Sequence, residues 1–261
     1  MTIKKELTKF ISSFKNPKKL IPYLKKKINR IFYLSEEQFL DKFFSNKNHK
    51  FVIQVGGNDG VQNDPLRKYF LNKNNYSAII FEPLNYYYNC LKDLYKDRSD
   101  IKVEKYGISN IKKKKTLYFI DPNIADEMNG EGPMNNWAHG QGSFDKDIIE
   151  FHIDQNNFRG DIYKTNINRF KKNIISEEID IILLSEVETP GVKETLLVID
   201  VQGFELEVIL SLNFKKLPKY IFFENDYKDV NKTKKIINLL EKYEYKYIGG
   251  EHDLVYEKKI Y

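Results

Sequence analysis

One cysteine, Cys90, stands in a chain of 261 residues. That excludes an internal disulfide framework and a cysteine-built zinc site, and it is the usage expected in a reducing compartment, hence of a cytoplasmic protein. Long apolar runs are also missing, since no stretch approaches the roughly 18 residues that a membrane span needs. Met1 to Arg30 has a lysine every few positions where a secretory signal needs an unbroken apolar stretch, so neither export nor membrane integration is expected. The four histidines, His49, His139, His152 and His252, fall at no metal-ligand spacing, and H-E-x-x-H does not occur, so no metal site is expected. Apolar and aromatic residues are plentiful instead: 41% hydrophobic with 14% aromatic is ample for the core of one large domain or two small ones.

The net charge of +6 is unevenly placed. Residues 1–30 hold ten basic side chains against Glu6 alone, and the other 231 residues carry 33 basic and 36 acidic groups. A body without its own basic face is not expected to bind nucleic acid. In the leader, Ile3, Leu7, Phe10, Ile11 and Phe14 recur at helical spacing, and after Pro17 the pattern restarts at Leu20, Ile21, Leu24, Ile28, Ile31 and Phe32. Such a basic amphipathic extension, residues 1–34, fits peripheral contact with an anionic membrane, at the inner face for a cytoplasmic protein, or contact with a partner. The alternative is that its stripes pack on the body while its lysines form a solvated face.

Ser35 and Gln38 form a capping box ahead of Phe39, Leu40, Phe43 and Phe44, so a helix and the globular domain, residues 35–261, are expected to start there. From Phe51 short apolar runs alternate with helical stretches. Phe51–Val55, Ser77–Phe81, Ile101–Lys105, Leu196–Asp200 and Tyr220–Glu224 read as strands. Pro65–Asn72, Tyr86–Lys96, Phe204–Leu212 and Lys232–Lys242 read as helices, and Tyr245–Ile248 with Leu254–Lys258 as a terminal hairpin. Strand–helix–strand alternation predicts an α/β fold with a mainly parallel sheet. Residues 121–160, rich in glycine and proline with little apolar periodicity, read as a lid or substrate-binding insert. The lysine run 112–115 reads as a charged hairpin tip, and Cys90, beside Leu91 and Leu94, as a small core residue.

The first strand runs into Gly56-Gly57-Asn58-Asp59-Gly60, and Glu82 ends the second strand. Glycines at a strand-to-helix turn let a ligand approach the backbone, and a carboxylate at the end of the next strand is placed to accept the hydroxyls of a ribose. The plain alternative for the turn is a tight bend with no ligand. The loop lacks the full G-x-G-x-x-G spacing and holds Asp59, with Asp64 close behind, so a pyrophosphate would meet carboxylates where it needs donors. NAD is thereby disfavoured. S-adenosylmethionine has no phosphate and carries a sulfonium and an ammonium, which such acids suit.

These residues resemble the FkbM-like S-adenosylmethionine-dependent methyltransferases. The resemblance rests on Val52-Ile53-Gln54-Val55-Gly56-Gly57-Asn58-Asp59-Gly60, Phe81-Glu82-Pro83, Ile199-Asp200-Val201-Gln202-Gly203-Phe204-Glu205 and the final Asp253-Leu254-Val255-Tyr256, and spans roughly Phe51 to Lys258. The family pattern often has Glu where Gln202 stands and Lys where Val198 stands, which weakens any transfer of a charged role to those two positions. The resemblance implies a class I methyltransferase fold, Rossmann-like, with a seven-stranded mostly parallel sheet whose last strand is antiparallel. It also implies O-methylation of a sugar or other hydroxyl, in a surface polysaccharide, a nucleotide-linked precursor or a secondary metabolite. By the same resemblance Gly56, Gly57, Asn58, Asp59 and Gly60 would hold the methionine moiety, Glu82 the ribose, and Gly107, Ile108 and Ser109 would border the adenine. Ser143 and Phe144 match a Ser-rich element of the family with no derivable role, and they are equally an ordinary turn and a core aromatic.

Two candidates for catalysis remain. Asp200 ends the most apolar strand and is expected at the carboxyl edge of the sheet, as a general base, as a ligand for the cofactor's ammonium, or as a partner of the backbone donors of the following helix. His139, in Trp137-Ala138-His139-Gly140, is placed to take a proton beside a Trp that stacks on a sugar; the alternative is a solvated loop histidine beside a packing Trp. A scaffold that retains the fold and catalyses nothing, docking through its leader, is the reading from another class.

Overall fold

Ser35 supplies the cap that its sequence context predicts: its Oγ accepts from the Gln38 backbone N–H at 3.2 Å while Gln38 Oε1 accepts from the Ser35 N–H at 2.9 Å. Helix α1 (Glu36–Ser45) starts there and buries the four apolar residues that recur at its helical spacing, Phe39, Leu40, Phe43 and Phe44. The computed structural model describes residues 33–72, 75–127, 137–155, 161–225 and 229–259. Most of the leader, and with it the reading of membrane contact, lies outside the described residues.

Chain order continues with β1 (Lys50–Val55), α2 (Arg67–Phe70), β2 (Tyr76–Phe81), α3 (Asn85–Leu94), β3 (Ile101–Glu104), β4 (Gly107–Ile108), β5 (Lys115–Ile120) and α4 (Pro122–Glu127). A 3-10 turn (Trp137–Gly140), β6 (Gly142–Ser143), α5 (Lys146–Gln155), α6 (Asp161–Lys172), β7 (Ile174–Ile179) and β8 (Ile181–Ile182) follow. After a second 3-10 turn (Leu184–Glu186), the chain closes with β9 (Glu194–Ile199), α7 (Glu205–Leu210), β10 (Tyr220–Glu224), α8 (Val230–Lys242), β11 (Tyr245–Gly249) and β12 (Asp253–Lys258).

Seven strands form the main sheet in the order β11-β12-β10-β9-β1-β2-β3. All are parallel except β12, which runs antiparallel to both neighbours. This is the expected α/β sheet with its reversed last strand. Central strands are apolar on both faces, as burial between two helical layers requires. Leu196 and Val198 of β9 pack with α1, α2 and α3 on one face, and Leu197 and Ile199 pack with α7 and α8 on the other. The strand order reverses beside β1, where β2 and β9 flank it, and a crevice opens at the carboxyl ends of such strands.

One expectation is corrected. The helix expected over Pro65–Asn72 is the single turn α2, which no side chain caps. Among the described residues of 121–160, which show little apolar periodicity, α4, the first 3-10 turn and α5 give Ala125, Ala138, Ile149 and Ile153 to a small core shared with Ile120 and Phe170. Ile149 and Ile153, four apart on α5, were the available signal, hidden by the polar residues between them. The β5 strand joins this insert to the body by pairing antiparallel with β6 and β7. Within the lysine run, Lys112 and Lys114 are tied to Glu186 and Glu178, and Lys115 opens β5, so the run is part of a folded layer. Cys90 is half-buried, because it lies one position off the inward stripe of Tyr87 and Leu91.

α1 belongs to the body. Leu34 bridges Gly249, and Glu36 Oε1 accepts backbone N–H groups of Glu251 (2.5 Å), His252 (2.8 Å) and Asp253 (3.4 Å), fixing the turn before β12. Phe44 stacks on Tyr69 at 4.3 Å between centroids and meets Tyr76 edge-on. Phe44→Ala is therefore expected to cost about 3 to 5 kcal/mol in urea unfolding, and Ser35→Ala about 1 kcal/mol. A loss below about 1 kcal/mol for Phe44→Ala would show that α1 is a loose appendage.

Candidate active site

The turn after β1 holds three strand ends together. Gly56 and Gly57 donate from their N–H groups to the Phe81 carbonyl at 3.0 and 3.2 Å, and the Asp200 N–H donates to the Val55 carbonyl at 3.0 Å. Gly56 takes φ +86°, and a Cβ there would collide with the Asp200 carbonyl oxygen. Gly57 and Gly60 leave room for Leu91 and Leu94, so α3 packs close behind the turn.

Glu82 locks the turn from the end of β2. Its Oε2 accepts from the Asn58 N–H and its Oε1 from the Leu84 N–H, both at 2.9 Å. The side chain is buried, and loss of solvent pushes its carboxyl up to about 7 despite those two donors. A carboxylate with one lone pair of each oxygen engaged still accepts from two vicinal hydroxyls.

A cavity of about 430 Å³ opens over these groups, a size suited to a small-molecule ligand. Its floor is acidic. Gln54, buried in β1, donates to Asp64 Oδ1 at 3.2 Å, while Gln54 Oε1 and Asp64 Oδ2 have no hydrogen-bond partner among the described residues. Burial pushes Asp64 up to about 6, with Asp200 and Asp59 adding to the rise against the donors Leu66 and Gln54. Asp253, delivered by the turn that Glu36 holds, is likewise pushed up to about 6 by burial, with the Asp200 charge next. Asp200 stands deep among protein groups, which raises its carboxyl, yet it faces the open cavity, whose solvent limits that rise. Gln202, at φ +49°, donates from Nε2 to Asp200 Oδ1 (2.9 Å) and to Glu224 Oε2 (3.2 Å). Glu205, at the start of α7, turns back to accept from Gly203 (3.0 Å) and Val201 (3.4 Å), and burial pushes it up to about 7.

The insert forms the roof through His139 to Phe144. His139 is neither solvated nor free. Its Nε2 lies 3.1 Å from Asp126 Oδ1 and its Nδ1 3.2 Å from the Tyr87 hydroxyl. A carboxylate only accepts, so Nε2 carries the proton and Nδ1 accepts from Tyr87. With both nitrogens engaged, His139 fastens the roof to α3 and α4, which disfavours the expected proton-taking role. The side chain of Trp137 lies outside what is described. Ser143 is buried in β6 and its Oγ accepts from the Asp145 N–H, and Phe144 faces the cavity.

Of the expected cofactor contacts, Gly56, Gly57, Asn58, Glu82, Gly107, Ile108 and Asp200 all border the cavity. Asp59, Gly60 and Ser109 do not. Asp59 Oδ1 accepts from Val61 and Gln62 at 2.8 Å, so its carboxylate shapes the turn. Gly60 packs against α3, and Ser109 is fully buried beside β8, where its N–H donates to Ile182. Missed by sequence reasoning were Gln54, Glu224 and Asp253; each lies at a strand end on the carboxyl edge, and only strand order brings the three together. Unpartnered Gln54 Oε1, Asn58 Oδ1 and Asp64 Oδ2 are buried acceptors awaiting donors, and with Glu82 they fit an adenosyl group carrying a cationic amino-acid tail.

The sequence model of the Methyltransferase FkbM domain matches residues 54–247. A solved FkbM methyltransferase from Methylobacillus flagellatus KT aligns with 88% of this chain and 50% of its own, at 9% identity and a TM-score of 0.49. Precorrin-6y C5,15-methyltransferase from Geobacter metallireducens GS-15 aligns over 85% and 87%, at 10% identity and a TM-score of 0.39. The chain spans about half the length of the M. flagellatus protein, and likenesses this weak carry nothing beyond the family match. A search of curated proteins finds no match.

The raised carboxyls set a pH dependence. Asp64, Glu82, Glu205 and Asp253 bind a proton more tightly folded than unfolded, so their contribution is full below their ordinary values of 3.8 and 4.5 and is lost as pH rises through about 6 to 7. For Glu82 alone the rise from 4.5 to about 7 corresponds to roughly 3 kcal/mol. Ligand-free protein should melt several degrees lower at about pH 8 than at about pH 5.5, and Glu82→Gln should flatten that slope. A melting temperature that climbs over this range would contradict the buried carboxylates.

Proposed function

From the premise that this chain belongs to the FkbM methyltransferase family, we propose that it moves a methyl group from S-adenosylmethionine to a hydroxyl of a sugar, in a surface glycan or a nucleotide-linked precursor. The observation that carries the reading is the sign of charge around the glycine turn: Glu82, Asp64 and Asp200 border the cavity beside the Gly56 and Gly57 backbone. Such a floor repels a pyrophosphate and suits a sulfonium and an ammonium. When bound, S-adenosylmethionine supplies an electrophilic methyl on a cationic sulfur. Glu82 would accept from the ribose hydroxyls, the Gly56–Asn58 backbone and Asp64 would hold the amino-acid end, and Gly107 with Ile108 would border the base. The roof would exclude water and the acceptor-rich floor would receive sugar hydroxyls, which orients the acceptor in the site. Gln202 engages one oxygen of Asp200 and leaves the other to accept the hydroxyl's proton.

The test reads binding and turnover together. S-adenosylhomocysteine at 100 times its dissociation constant should stabilise the protein by roughly 2.7 kcal/mol while NAD does not, and Glu82→Ala should weaken that binding by at least about tenfold. Asp200→Asn should lower methyl transfer to a sugar panel about a hundredfold or more with S-adenosylhomocysteine affinity nearly unchanged. Stabilisation by NAD alone would remove the methyltransferase reading for this site.

The leader belongs to the same proposal as a peripheral membrane contact of a cytoplasmic enzyme. Removing residues 1–32 should abolish binding to anionic vesicles at low salt and leave S-adenosylhomocysteine affinity intact. Unfolding of the shortened chain would instead place the apolar stripes in the core.

A further inference from the structure

Two cations stand against aromatic rings that line the cavity. Phe144 and Phe204 both line the cavity and meet edge to face, ring centroids 4.8 Å apart. Lys115 Nζ, from the first residue of β5, lies 4.6 Å from the Phe144 centroid and 5.6 Å from that of Phe204. Lys232 Nζ, from the first turn of α8, lies 5.4 Å from the Phe204 centroid and donates to the Gly203 carbonyl. Two cations from elements remote in sequence thus converge on one ring that lines the cavity, Phe204. Neither is paired with a carboxylate among the described residues, although Lys112 and Lys114, close neighbours of Lys115, are paired with Glu186 and Glu178. An ammonium has three donors. Lys232 gives one donor to the Gly203 carbonyl, which leaves two on it and three on Lys115, with both ammonium groups oriented by the rings.

We infer that this pair of cations binds a phosphate, and that the methyl acceptor is a phosphorylated or diphosphate-linked sugar with its hydroxyls on the acidic floor and its phosphate between Lys115 and Lys232. The inference rests on the methyl-transfer reading for the identity of the acceptor. The charge pattern sets the orientation: Asp64, Asp200, Glu224 and Asp253 repel an anion from the floor, and the two ammonium groups hold it beside the two rings. A neutral sugar would leave the remaining ammonium donors without an anion. The Phe144 and Phe204 rings offer apolar faces to whatever the phosphate links, a nucleoside or a lipid.

The experiment uses the full chain with saturating S-adenosylhomocysteine and titrates pyrophosphate, uridine diphosphate and glucose by calorimetry. Pyrophosphate and uridine diphosphate should bind with an affinity that falls as salt rises, and glucose should bind far more weakly. Tighter binding of uridine diphosphate than of pyrophosphate would assign the aromatic faces to a nucleoside, and equal binding would assign recognition to the phosphates and leave the lipid-linked source as the acceptor's form. Replacing both lysines by methionine keeps their stems on the rings and removes the charge, and it should weaken pyrophosphate roughly tenfold or more. Lys115→Arg with Lys232→Arg should restore most of it. S-adenosylhomocysteine affinity, read in the same variants, should not change, which separates the phosphate site from the cofactor site. Pyrophosphate that fails to bind the wild-type chain, or binds the double methionine variant as well as wild type, overturns the inference even where S-adenosylhomocysteine binds normally.

Discussion

At Gly56 the backbone of β1 comes so close to that of β9 that no side chain fits, and the Asp200 carbonyl fills the space that a Cβ would take. The contact draws the carboxyl ends of β2, β1 and β9 into one knot, since Gly56 and Gly57 donate to Phe81 and Asp200 donates back to Val55. Everything functional hangs from that knot. It aims the glycine turn across the sheet, sets Glu82 within reach of Asn58, and sends Asp200 up into the crevice where the strand order reverses. A larger residue at position 56 would separate the strand ends, and the acids they carry would lose their common focus.

That focus is costly to the empty protein. Asp64, Glu82, Asp200 and Asp253 face one cavity, and burial raises all four. Structures keep such groupings where a ligand of opposite charge repays them or where chemistry needs a proton held near neutrality. The supports are mostly neutral, the exception being Glu36, whose charge adds to the rise of Asp253. Backbone N–H groups hold Glu82, amides hold Asp64 and Asp200, and α1 holds the turn bearing Asp253 through Glu36.

The sheet could be read from the chain because its signals are local. The capping box at Ser35, the unbroken run Leu196 to Ile199 and the glycine turn after β1 each work within a few residues, and each lies where expected. The insert resisted because its core is assembled from residues far apart, Ile120 and Phe170 among them, each in a segment with a polar exterior. The site divides the same way. Glu82 and Asp200 end apolar strands and announce themselves, whereas Asp253 shares the cavity only because an antiparallel strand returns it to the carboxyl edge opposite Glu224. His139 shows the limit of reading residue type alone: the imidazole borders the cavity as expected, yet Tyr87 and Asp126 occupy both its nitrogens.

Two departures from the family pattern gain a physical meaning in this site. A glutamate at 202 would set a third carboxylate between Asp200 and Glu224, and the amide of Gln202 donates to both instead. Val198 is in register with Gln54 and lines the floor, so a lysine there would place an ammonium beside Gln54, Asp64 and Asp200. This chain has neither the extra acid nor the internal cation. Its floor is therefore held in shape largely by neutral amides, and Lys115 and Lys232 stand against the Phe144 and Phe204 rings that line the cavity, outside the lining itself. Acids on the lining and ammonium groups behind two of its rings give the site unlike ends, which favours a ligand whose own ends are unlike.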